Sequence, residues 1–216
     1  MPKKRKRVWQ PSITYGFVRA RQLDGTILER PRVGSPIITS GRVLAGWGMV
    51  SDSRWPQWRR GDLWPPIEPP GLDDIAKFNR QRGHFRARGF AEIRACLASG
   101  APVQASLPIH NGWRSPAGGV IELQGAEPVT ENHSIVFKGL DDNRRLIKFW
   151  NNWGQDWGDG GYGYLPYDYA DRHIYDSWVY DCSVANLRQD RASAAFLAVS
   201  QRSAVRNCLG HLWGAH

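Results

Sequence analysis

His133 and Asn151 are the residues whose types and spacing could do chemistry in this chain. His133 leads into Ser134-Ile135-Val136-Phe137, which has the composition of a strand. Asn151 follows eighteen residues later and opens Asn151-Asn152-Trp153-Gly154-Gln155-Asp156-Trp157-Gly158-Asp159-Gly160-Gly161-Tyr162. A histidine can stabilise a thiolate nucleophile and later hand a proton to a leaving amine. It needs a ring held in one orientation and tautomer, and a side-chain amide oxygen accepting from the second ring nitrogen supplies that. Two elements must bring the pair together. The sequence between them predicts the strand from His133, a hairpin turn at Gly139 and Asp141-Asp142, and an apolar strand Leu146–Trp150 that ends beside Asn151.

Taken singly, Trp153, Trp157 and Tyr162 read as core aromatics beside turn glycines. In this order, after a histidine strand and an apolar strand, they resemble the papain-like cysteine peptidases. That family carries an Asn-Ser-Trp-Gly motif whose tryptophan covers the amide and keeps water off the pair. Here Asn152 takes the serine position, Trp157-Gly158 repeats the Trp-Gly step, and Gly161-Tyr162 follows in family register. The resemblance implies His133 as the base, Asn151 as its orienter, and Trp153 and Trp157 as binding residues.

Upstream, Ile93 and Leu97 give residues 90–97 helical spacing, residues 36–47 read as a helix ending at Gly48, residues 15–23 resemble the family helix that follows the nucleophile's own helix, and Pro102-Val103-Gln104-Ala105-Ser106-Leu107 alternates like a strand. Gly163-Tyr164-Leu165-Pro166-Tyr167-Asp168-Tyr169 and Asp176-Ser177-Trp178-Val179 resemble the family's closing strands. Gly34-Ser35 resembles the family's Gly-Gly segment, whose backbone pairs with an extended substrate; Ser35 departs from that pattern. The implied fold class is α+β and papain-like, without the N-terminal part that bears the nucleophile helix. It divides into a basic arm over residues 1–11, a core over 12–182 (a mainly helical lobe over 12–100 and a β-barrel-like lobe over 101–182), and a basic helical extension over 183–216.

The family's nucleophile begins a Cys-Trp-Ala-Phe-like helix preceded by an oxyanion-hole glutamine. Both would lie before residue 12, where this sequence has no cysteine. Cys96 falls inside a predicted helix, where a free cysteine acts as a small hydrophobe. Cys182 ends a predicted strand and Cys208 lies eight residues from the end, so none of the three is read as a nucleophile. The expectation is a pseudopeptidase in which His133 and Asn151 are vestigial and the groove between the lobes binds a polypeptide. Two other readings stay open: a cysteine peptidase whose nucleophile segment lies outside this chain, and a basic-tailed nucleic-acid or nuclear adaptor.

The length of 216 residues, 41% of them hydrophobic and eleven of them tryptophan, suits one domain with tails. The net charge of +9 sits mostly in Lys3, Lys4, Arg5, Lys6 and Arg7 and in Arg188, Arg191, Arg202 and Arg206, leaving residues 8–186 close to neutral. The N-terminal run resembles a nuclear-import signal or an arm that neutralises phosphates, so nucleic acid is a second partner class beside polypeptide. No apolar run has spanning length and no secretory leader is evident, so no membrane partner is expected and the location read is cytoplasmic, or nuclear in a eukaryotic setting. The three cysteines form no disulfide or zinc pattern, and His84, His110, His173, His211 and His216 lack ligand spacing, so no metal or cofactor is implied.

Overall fold

The computed structural model describes residues 9–29, 34–122 and 131–181. Ser12 starts the first helix, α1 (Ile13–Leu23): its oxygen accepts from the Tyr15 amide at 3.1 Å and its hydroxyl donates to the Trp55 carbonyl at 2.6 Å. Helix α2 (Ile37–Gly46) packs on α1, and the short α3 (Leu72–Ala76) adds Leu72 and Ala76 to their shared core of Tyr15, Val18, Leu44, Val50 and Trp55. One buried charge ties this lobe together. Arg19, 4% exposed, donates to Glu68, Asp73 and Gln22, and the Tyr15 hydroxyl donates to the same Asp73 oxygen at 2.8 Å. Burial alone would raise the Asp73 carboxyl, but the bonds from Arg19 and Tyr15 outweigh it and hold its pKa below the ordinary carboxylate value.

Six strands follow: β1 (Gly83–Arg86), β2 (Val103–Ile109), β3 (Glu131–Asp141), β4 (Leu146–Trp150), β5 (Tyr162–Pro166) and β6 (Asp176–Asp181). They form one antiparallel sheet in the order β1-β6-β2-β3-β4-β5. Alternation sets its core. Val103, Ala105 and Leu107 of β2, Ile135 and Phe137 of β3, and Ile147 and Phe149 of β4 share one buried cluster. Helices α4 (Gly89–Ala98) and α5 (Tyr167–His173) complete the lobe.

The helices read at 15–23, 36–47 and 90–97 and the strand Leu146–Trp150 lie where the sequence puts them. Three features differ. β1 and α4 come from the stretch assigned to the helical lobe, yet β1 pairs with β6 and α4 packs on β3, because Ile93 and Leu97 of α4 join the sheet's core. Gly139 is not in the hairpin turn but inside β3, at a register shift after Phe137; the turn is residues 142–145. Tyr167-Asp168-Tyr169 is not strand but the first turn of α5, where Pro166 ends β5 and Asp168 near the start and Arg172 and His173 near the end suit the helix dipole. The basic arm at Lys3 to Arg7, Cys182, Cys208 and the helix expected in the extension lie outside the described residues.

Two outcomes follow from this packing. Gly163 faces Phe149 across β4 and β5, and a methyl group there would stand 2.2 Å from the Phe149 ring, so Gly163→Ala should destabilise the fold by about 1–3 kcal/mol, read as a lower urea midpoint at unchanged slope. Because the folded pKa of Asp73 is depressed, its contribution is present above the unfolded carboxylate value and is lost as pH falls through the folded one. Asp73→Asn should therefore flatten the acid limb of the stability profile, and an unchanged acid limb would contradict the assignment.

Candidate active site

His133 lies near the start of β3, opposite Leu107 of β2, with its side chain among the buried residues of its strand at 7% exposure. Asn151 is the first residue after β4. Its amide donates to the Gly161 carbonyl at 3.0 Å, which fixes the backbone where the Trp-Gly loop begins. The side chains meet: His133 Nε2 and Asn151 Oδ1 are 2.9 Å apart and buried. The backbone amide of Asn152 donates to that same Asn151 atom at 2.9 Å, which identifies it as the oxygen. An amide oxygen only accepts, so His133 donates from Nε2 and the neutral ring carries its lone pair on Nδ1.

The tryptophans enclose this bond. Trp153 lies against the His133 ring with centroids 4.9 Å apart and planes inclined by 33°. It meets Trp157 edge-on at 5.6 Å, and Trp157 donates from its indole nitrogen to the Trp113 carbonyl at 2.7 Å. Trp113, fully buried, packs on Phe149, which carries the same support into the sheet core. Sequence reasoning missed Trp113. Its partnership with Trp157 spans 44 residues, and no local pattern encodes it.

His133, Asn151, Trp153 and Trp157 thus form one cluster, whereas Gly34 and Ser35 occupy the loop before α2. That helix is joined to the sheet by the Tyr180 hydroxyl, which donates to the Ile37 carbonyl at 2.9 Å. Ser134, beside His133, is held by Gln104 of β2, whose amide nitrogen donates to its hydroxyl at 3.0 Å. Cys96 lies on α4, half-buried. Burial first and the Glu92 charge second raise its thiol pKa, the opposite of what a nucleophile requires. Among the described residues no three His, Cys, Asp or Glu side chains converge as a metal site, and no helix is long and apolar enough to cross a membrane.

A histidine held by an amide oxygen under an indole thus stands at the end of an antiparallel sheet. No family model matches the chain. It is 24% identical over 189 residues to an uncharacterised peptidase C1-like protein of Acanthamoeba polyphaga mimivirus, an alignment covering 81% of this chain and 60% of that protein. In structure it is similar to xylellain, a cysteine protease from Xylella fastidiosa, with TM-score 0.70 and 24% identity, covering 79% of this chain and 69% of the other. It is also similar to the Carica candamarcensis cysteine protease CMS1MS2, with TM-score 0.58 and 17% identity, covering 81% and 78%. The chain has the papain-like fold; its sequence relative is named peptidase C1-like, and the structures it resembles are cysteine proteases.

Removing the Asn151 amide should leave a buried donor unmet. Asn151→Ala should lower stability by about 1–3 kcal/mol, the cost of an unsatisfied buried group, measured by chemical denaturation. A variant as stable as the parent would mean that the His133–Asn151 bond contributes little.

Proposed function

We propose that this chain is the base-bearing part of a papain-like cysteine peptidase and acts on polypeptides. The observation that supports the reading most is the buried His133–Asn151 bond beneath Trp153. With Nε2 committed to Asn151, the nitrogen that can exchange a proton with a thiol is Nδ1. In this reading a cysteine carried outside the described residues gives its proton to Nδ1, and the thiolate adds to the scissile carbonyl. The imidazolium returns the proton to the departing amine, leaving a thioester. Water, deprotonated by the same nitrogen, then releases the acid and regenerates the thiol.

The second reading is a non-catalytic polypeptide binder, and Cys96 favours it: the only described cysteine sits in a helix with its thiol pKa raised. A single experiment separates the two. The full-length protein is incubated with fluorogenic peptides and with a thiol-directed peptidase probe, beside His133→Ala. The peptidase reading expects hydrolysis and labelling in the parent, with hydrolysis reduced by about 10²–10⁴-fold in the variant, the usual worth of a positioned base. An inert, unlabelled parent that binds peptides as tightly as His133→Ala would overturn it in favour of the binder.

A further inference from the structure

Gln81, His84 and Tyr180 tie α2 to the sheet at a point outside the His133 cluster. Gln81, 7% exposed, donates from Nε2 to the Gly41 carbonyl at 2.7 Å, within α2, and also lies 3.1 Å from His84 Nδ1 on β1. Tyr180 of β6 holds the first residue of α2 through the Ile37 carbonyl. The His84 ring lies 5.5 Å from that of Trp178 and 6.3 Å from that of Tyr180. Glycine at position 41 permits the approach: a methyl group there would stand 2.8 Å from Tyr180 Cε1 and 3.1 Å from His84 Cγ.

The Gln81 atom bonded to the Gly41 carbonyl must be its nitrogen, because a carbonyl cannot donate. That nitrogen is therefore a donor toward His84 as well, and His84 Nδ1 must accept. We propose that Gln81, His84 and Tyr180 are positioning residues that hold α2, and with it the Gly34-Ser35 segment, against the sheet, in a joint that closes only while His84 is neutral. A protonated Nδ1 would place a donor against a donor. Turning the Gln81 amide does not relieve this. It offers His84 the oxygen that is now buried without a partner, but sets that same oxygen against the Gly41 carbonyl.

The surroundings favour the neutral ring. Burial first and the Arg42 charge second lower the His84 pKa below its ordinary value. From α2 the facing charge is Arg42; from β6 the facing groups are the Trp178 and Tyr180 rings. The Tyr180 hydroxyl is engaged with Ile37, and Asp176, next along β6, is taken up by Trp178 and by Arg86 of β1. With the folded pKa depressed, the joint's contribution is present above the unfolded histidine value and is lost as pH falls through the folded one. The link to the groove rests on the peptidase reading of Gly34 and Ser35, but the joint does not.

Amide hydrogen exchange on the whole chain between about pH 8 and pH 5, corrected for intrinsic rates, tests this. The α2 amides should lose protection in acid while those of β4 and β5 keep theirs. In His84→Gln, whose side chain stays neutral and still offers an acceptor, α2 protection should not change with pH. Nitrogen NMR of the parent should show His84 Nδ1 without a proton at neutral pH, a readout that stands even if the variant fails to fold. Protection of α2 that is constant with pH in the parent, acid loss that persists in His84→Gln, or a proton on Nδ1 at neutral pH would each overturn the proposal. No thiol is needed for any of these measurements, so their failure is distinct from failure of the peptidase reading.

Discussion

The bond from His133 Nε2 to Asn151 Oδ1 joins residues eighteen apart in sequence, and it exists because β3 and β4 pair with Val136 opposite Trp150 and Phe137 opposite Phe149 at the site's end of the hairpin. Slipping that pairing by one residue would turn Ile135 and Phe137 out of the core and carry Asn151 away from the ring. The hydrophobic pattern of the two strands therefore sets the geometry of the polar pair. The same pattern places Phe149 beneath Gly163 and against Trp113, so the site is built on a buried, closely packed part of the sheet.

Burial then gives the bond its strength and its selectivity. In a low-dielectric setting a hydrogen bond is electrostatically stronger than in water, and an unmet partner costs more. Trp153 supplies much of that setting, and it is held in turn by Trp157, whose indole nitrogen is anchored on the Trp113 carbonyl. The backbone amide of Asn152 adds a second donor to the Asn151 oxygen, which stops the side-chain amide from turning over. Asparagine rather than serine at position 152 leaves this contact intact because the contact is made by the main chain.

The legible features were the ones with local signatures. The helix at 90–97 follows from its spacing, the one at 36–47 from its glycine stop, the one at 15–23 from resemblance and the strand Leu146–Trp150 from its apolar run, while the His133–Asn151 pair follows from a histidine strand, an apolar strand and the Trp-Gly repeat that starts at Asn151. What was not legible depends on distance in sequence. The pairing of β1 with β6 joins residues nearly a hundred apart, so the sheet claims a segment that reads locally as part of the helical lobe. Gly139 looks like a turn residue by type, but the bulge in β3 absorbs it, and Tyr167 to Tyr169 look strand-like until Pro166 and the charge order of α5 are weighed. Trp113 and the joint at Gln81 and His84 are contacts made by the assembled fold, with no pattern of their own.

The account turns on His133 being held in one tautomer, with the proton on Nε2 and the lone pair on Nδ1. Nitrogen-resolved NMR of the neutral imidazole measures this directly. The expected spectrum shows a single protonated Nε2 whose hydrogen is protected from solvent exchange and an unprotonated Nδ1. A neutral ring protonated on Nδ1 in place of Nε2, or one averaging rapidly between both tautomers, would contradict the claim that Asn151 orients the His133 ring.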